Sequence, residues 1–243
     1  MIKRPRFIAS LYTLSGVILA FTFSWLILSV CNFSYGFWHD HGGIAEAIEQ
    51  YGGQNKYRSG FELTTKPQRE HLFSEIVYAI HRNGEGLRDI RYQVPGHPQQ
   101  LLLTDAEVQH LEDVARIIHM GAWLSACALL IWLMSLFWIR RSHQWLPDFK
   151  FQLVGIVSAI ALCGVLVAAL GPVNVFYTLH TWVFPEGHAW FFYYQESLMS
   201  TMMFAPVLFG WIAVEWLVLS IVMFCFIQLG TEKIFHLKRT KSS

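Results

Sequence analysis

Charge is scarce in this sequence. Asp, Glu, Lys and Arg make up 14% of its 243 residues, where a soluble domain carries about a quarter, and the shortage argues for a membrane protein. Cysteine is scarce as well. Cys31, Cys127, Cys163 and Cys225 lie in or at the end of apolar runs. None forms a C-x-x-C pair, so neither a zinc site nor a disulfide framework is visible. Also missing are a G-x-S-x-G turn, which disfavours a serine hydrolase of that type, and an H-E-x-x-H metal pair. With no basic face and no zinc-ligand spacing, nucleic acid is excluded as a partner. Internal repeats and low-complexity tracts are absent too. An enzyme built from what remains works with histidines and carboxylates, and the sequence implies neither metal nor cofactor.

Long apolar runs are present in abundance. Four of them, approximately 7–30, 117–139, 151–170 and 198–229, reach the roughly 20 residues that a helix needs to cross the hydrocarbon core. The first follows Lys3, Arg4 and Arg6, but it is too long for a signal-peptide h-region and no A-x-A site follows. It reads as an uncleaved span. Lys and Arg fix the orientation. The N-terminal KRPR, the Arg140, Arg141 and Lys150 link, and the Lys233, Lys238, Arg239 and Lys241 tail share one side, which the positive-inside rule makes cytoplasmic. The 171–197 stretch holds no Lys or Arg, as an outer loop should. The expectation is an all-α polytopic protein of the cell membrane, a single domain over 1–243 with four spans and both termini inside.

Residues 32–104 are expected to form a small helical extracytoplasmic cap on the membrane surface. Thr65, Pro67 and Gln68 mark a helix start. Leu72, Phe73, Ile76, Val77 and Ile80 recur on one face, and Asn83-Gly84 ends the helix. A shorter helix is expected over 42–50, then an extended connector over 91–103. Thr104 and Glu107 stand at capping-box spacing, opening a helix that continues uninterrupted to Arg140. About 12 of its residues precede the apolar run, roughly 18 Å of helix. On that part Glu107, His110 and Asp113 share a face.

Several polar groups have two readings. Glu107, His110 and Asp113 form either a solvated helix face or a worked site in which a carboxylate raises the basicity of His110. His180 and His188 lie among Trp182, Trp190, Phe191, Phe192, Tyr193 and Tyr194, the composition of an interfacial belt. Yet His180 follows Gly171-Pro172 closely, near the depth expected of His110. His119, deeper in the second span, is either a packed polar residue or a haem ligand. Glu215, at the middle of the last span, is a functional candidate by its cost or a packing residue; Pro206 is expected to kink that span. A non-enzymatic membrane subunit or assembly factor is the alternative to an enzyme.

Two stretches resemble one family. An acidic residue followed by H-[LM]-x-D-V, here Glu107 and then His110-Leu111-Glu112-Asp113-Val114, opens the second of four spans. A histidine framed by aromatics, F-x-x-x-H-x-x-x-F followed by tryptophan, appears as Phe176, His180, Phe184 and Trp190. Both are similar to motifs of the bacterial lipoprotein intramolecular transacylase family, Lit, and Glu196 and Pro206 match two later positions more loosely. The resemblance implies transfer of the sn-2 acyl chain of a diacylglyceryl-modified lipoprotein to the α-amino group of its N-terminal cysteine. It puts the catalytic histidines at His110 and His180, with Asp113 as orienting carboxylate. Glu107, Phe176, Trp182, Phe184 and Trp190 then line the substrate's headgroup and acyl chains, and the partners are the diacylated lipoprotein and membrane phospholipid. His188, after Pro185-Glu186-Gly187, is left as a loop residue at the water boundary.

Overall fold

The structure is a computed structural model that describes residues 4–239. Lys3 and Lys241, two of the residues in the orientation argument, lie outside the described residues, as do the side chains of Arg4, Arg6, Lys238 and Arg239. The chain is mostly helical. Its helices are α1 (Arg4–Val30), α2 (Tyr35–His41), α3 (Ile44–Tyr51), α4 (Lys66–Ile80), α5 (Asp105–Arg141), α6 (Phe149–Leu170), α7 (Pro172–Val183), α8 (Leu198–Met203) and α9 (Val207–Arg239). Four are long and apolar enough to cross a membrane, over Phe7–Val30, Asp105–Arg141, Phe149–Leu170 and Val207–Phe235.

The chain divides into two compact units. One takes in the chain up to Leu26, Ala122–Leu179 and the chain from Trp216 onward. Its helices expose large apolar side chains freely; along α6, Phe151, Val154, Leu162, Val165 and Leu170 are each more than half exposed. Such an apolar surface suits lipid and not water. Where helices of this unit meet, polar groups pair across them: Tyr12 donates to Gln228 at 2.6 Å, Thr13 to Gln152 at 2.8 Å, and Trp216 to the Phe21 carbonyl at 2.8 Å. In a medium that offers no competing partner these bonds hold helices together. Cys127 and Cys163 are exposed and free.

The other unit comprises Ile27–Gly121 and His180–Glu215. It has a buried core. Tyr35, Ile44, Ile48, Phe61, Leu72, Phe73, Ile76, Leu87, Tyr92 and Leu102 are all buried, together with Met199 and Met202 of α8. Tyr35 stacks on Phe73 with centroids 4.5 Å apart and donates to the Met202 carbonyl at 2.9 Å. Arg69 is buried in this core. Its guanidinium donates to Thr64 at 2.9 Å and to the Glu62 carbonyl at 3.1 Å, and lies 3.2 Å from His39 Nε2. His39 Nδ1 in turn meets Asp40 at 2.9 Å, and the exposed Asp40 carboxylate also pairs with Lys66.

Four local expectations are corrected. Thr65 occupies the cap position of α4, but its hydroxyl makes no capping bond, and Gln68 donates instead to the Gln93 carbonyl. The 91–103 connector contains a short antiparallel pair, Arg91–Tyr92 (β1) with Gln100–Leu101 (β2). The 171–197 stretch is not all loop: Pro172, preorganised for a first helical position, starts α7. The last apolar run is not one kinked helix but two. Ser197 caps α8 by accepting from Ser200 N at 2.8 Å, Phe204 turns left-handed at φ 43°, and Pro206, which has no N–H to offer a helix, precedes α9. All six residues of α8 are buried. Their apolarity serves protein packing.

Candidate active site

The first turn of α5 is fixed from both ends of Glu107. Thr104 N donates to Oε2 at 2.5 Å and Glu107 N donates to Thr104 Oγ1 at 3.3 Å, closing the expected capping box. The other oxygen, Oε1, accepts from Ser197 Oγ at 2.5 Å and from Met199 N at 3.2 Å. Glu107 is 1% exposed. Val108, Leu111 and Ala115 bury the inner side of the same turns, so this helix face is packed and not solvated. A buried carboxylate is tolerated when its oxygens are satisfied, and here three donors of the protein do so.

One turn on, His110 is half-buried against aromatic rings. Its imidazole lies 4.7 Å from the Phe184 ring and 5.9 Å from Phe192. His180 approaches the same Phe184, stacked at 5.3 Å, and Trp190 at 5.1 Å. The geometry of the second histidine follows from α7. His180 and Phe184 stand four residues apart and so share a helix face, and Phe184 N makes the closing bond to the His180 carbonyl at 3.0 Å. Pro185 then disfavours helical backbone at the residue before it, so α7 stops with Phe184 just beyond its end. Two imidazoles 70 residues apart in the sequence thus rest on one phenyl ring, close enough for the charge of one to act on the other. His110 Nδ1 is buried with no hydrogen-bond partner.

Asp113, the expected orienting carboxylate of His110, makes its bonds elsewhere. It is 4% exposed. His188 Nδ1 donates to Oδ2 at 2.7 Å and Arg116 donates to Oδ1. The pairing with His188 was not readable from the sequence: the partners are 75 residues apart, and no spacing rule relates a helix turn to a loop that distant. The Pro185-Glu186-Gly187 turn, with Gly187 at φ 84°, brings His188 back toward α5.

The remaining candidates are scattered. Trp190 touches His180, whereas Trp182 is 78% exposed. Phe176 belongs to the other unit, where its ring meets Tyr177 at 5.7 Å. Glu196 forms an exposed ion pair with Lys56 at 2.7 Å. His119 is exposed on α5. Glu215 is half-buried, with Oε2 enclosed and lacking a hydrogen-bond partner. Among the described residues no group of three or more His, Cys, Asp or Glu side chains is arranged to hold a metal ion.

Comparison with known proteins gives these positions a context. A comparison with the curated proteins found no match. Among solved structures, the chain is similar to the membrane integral lipoprotein intramolecular transacylase Lit from Bacillus cereus, with a TM-score of 0.64 at 14% identity over 98% of both chains. Variants of that protein with one histidine replaced by arginine or by alanine match with TM-scores of 0.66 and 0.65, also at 14% identity. The first covers 97% of this chain and 94% of that one, the second 97% and 95%. At this identity the likeness is one of fold. The model of the family described as lipoprotein intramolecular transacylase Lit matches residues 61–205, more than half of the chain and the whole stretch from His110 to His180. The chain belongs to the lipoprotein intramolecular transacylase family, Lit, a family of membrane acyltransferases.

Proposed function

We propose that this protein moves the sn-2 acyl chain of a diacylglyceryl-modified lipoprotein onto the α-amino group of that lipoprotein's N-terminal cysteine, leaving an N-acyl lyso-lipoprotein. His110 and His180 are the catalytic pair. The observation that carries this reading is their convergence on Phe184, at the junction of a long apolar helix and an aromatic segment, where a lipid-bound substrate is reached.

The chemistry suits such a pair. The α-ammonium, with a pKa of about 8, must lose a proton before its nitrogen attacks the ester carbonyl, and an imidazole is a suitable base. The resulting oxyanion needs a donor, and the departing sn-2 oxygen needs a proton; the second imidazole supplies one or the other. Nucleophile and ester belong to one molecule, so the main work is to hold them in attack geometry. No acyl-enzyme is required, and none of the four cysteines lies among the residues around the histidine pair. Phe184 and Trp190 shape the wall beside the imidazoles, and exposed Trp182 faces the headgroup region. Phospholipid surrounds the spans, the site opens to the extracytoplasmic side, and residues 32–104 cover it there.

Mass spectrometry of lipoprotein N-termini tests the proposal in cells with and without the protein. The N-acyl lyso form is expected only where the protein is present, and to disappear with His110→Ala or His180→Ala while each variant still accumulates in the membrane. Equal amounts of that form in both strains would sink the reading.

A further inference from the structure

The acyl transfer proposed above has a proton balance that two imidazoles on a phenyl ring do not close. The ammonium nitrogen ends as an amide N–H, so it gives up two protons. One finishes on the sn-2 oxygen as the C–O bond breaks and the N–C bond forms. The other must leave the site in every turnover. His110 Nδ1 offers no way out, since it is buried and bonded to nothing.

From the geometry around Asp113 we infer that His188, held by that carboxylate, is the proton outlet of this reaction. Asp113 lies one turn beyond His110 on α5 and close enough for its charge to act on that imidazole. Its Oδ2 accepts from His188 Nδ1 at 2.7 Å. That bond assigns the proton of neutral His188 to Nδ1 and leaves Nε2 as an acceptor. Nε2 has no partner among the described residues, and the side chain is 26% exposed. His188 therefore combines a carboxylate partner with a partly exposed ring. When Nε2 takes the departing proton, the imidazolium forms against a carboxylate that already holds the ring in place. Arg116, the second partner of Asp113, is permanently protonated and cannot accept one; it tempers the attraction without replacing it. Glu186, two residues back on the same turn, is exposed and is the other charged group on the His188 loop. The proton passes from the catalytic imidazole to Nε2 through water and from there to the aqueous phase. His188 in this scheme is a positioning and relay residue that acts through the pair.

This inference rests on the proposed acyl transfer, and the test separates the two. Purified full-length protein in lipid is given a diacylglyceryl lipoprotein, and N-acyl product is followed between pH 6 and 9 in dilute and concentrated buffer. For His188→Gln we expect turnover to fall about 10²-fold in dilute buffer, with KM unchanged and a shifted pH profile. Imidazole added to the medium should restore much of the lost rate, and Asp113→Asn should show the same loss more mildly. A purely structural role would move KM or thermal stability and gain nothing from imidazole, which overturns the outlet. Wild-type rate and pH profile in His188→Gln overturn it as well. If the wild-type protein itself forms no N-acyl product, the proposed transfer fails and the outlet falls with it.

Discussion

Ser197 donates a hydrogen bond to Glu107 at 2.5 Å across 90 residues of sequence, and both side chains are buried. The bond joins the turn that presents His110 to the residue that closes the segment after His180. Glu107 holds this junction through Oε1, while Oε2 closes the capping box. Replacing it by alanine strands three donors, and the expected loss of stability is about 2–4 kcal/mol. Thermal unfolding of the purified protein, followed by tryptophan fluorescence, should show a lower Tm for Glu107→Ala and a smaller drop for Glu107→Gln. An unchanged Tm for the alanine variant would contradict the structural role assigned to this carboxylate.

Phe184 is the ring that the imidazoles of His110 and His180 both approach. Phe184→Ala removes the ring from His110 and His180 together, and loss of attack geometry of this kind costs about 10²-fold in rate. Phe184→Leu keeps apolar bulk and should lose less. The comparison is made on kcat for N-acyl formation, with membrane accumulation as the control for folding. If Phe184→Ala turns over as fast as wild type, the shared ring does not set the histidine positions.

Arg69 supplies donors to Thr64 and the Glu62 carbonyl and faces His39 in the core of its unit. Burial holds its guanidinium below the usual arginine range, yet it stays charged, because it starts far above neutral pH. Arg69→Met fills similar volume but leaves those acceptors unmet, with an expected cost of about 2–3 kcal/mol. The measurement is again Tm, together with proteolysis of residues 32–104 in intact membranes. Faster cleavage there and a lower Tm are the predicted outcome.

Orientation is open to a direct test. In a cysteine-free background, Gly187→Cys should react with a membrane-impermeant maleimide added to intact spheroplasts, and Ser142→Cys should react only after lysis. The reverse pattern would place the histidine pair on the cytoplasmic side and remove the positive-inside argument.

What the sequence made legible was local or compositional. The four apolar runs stand out because a membrane span is defined by length and composition, and the start of α5 stands out because a capping box lies within four residues. The separate identity of α8 was hidden for a physical reason: Leu198–Met203 is as apolar as a span, and hydropathy does not distinguish burial in protein from burial in lipid. The β1–β2 pair escaped because strands of two residues leave no period to detect. His110 and His180 were expected to converge from their shared depth and from motif resemblance, whereas their meeting on Phe184 depends on where Pro185 ends α7. Asp113 was expected to orient its i−3 neighbour His110, whereas its hydrogen bonds go to Arg116 and to His188 on a distant loop.

Three ties around the two histidines are made by residues before Gly121 or after Leu179: Glu107 with Ser197, Phe184 with both rings, Asp113 with His188. Apolar spans answer changes in bilayer thickness by tilting, whereas these ties join side chains of one compact unit. A cell that lengthens or shortens its acyl chains as temperature changes alters the solvent of the spans. The spacing of His110 and His180 is ruled off by protein side chains within that unit.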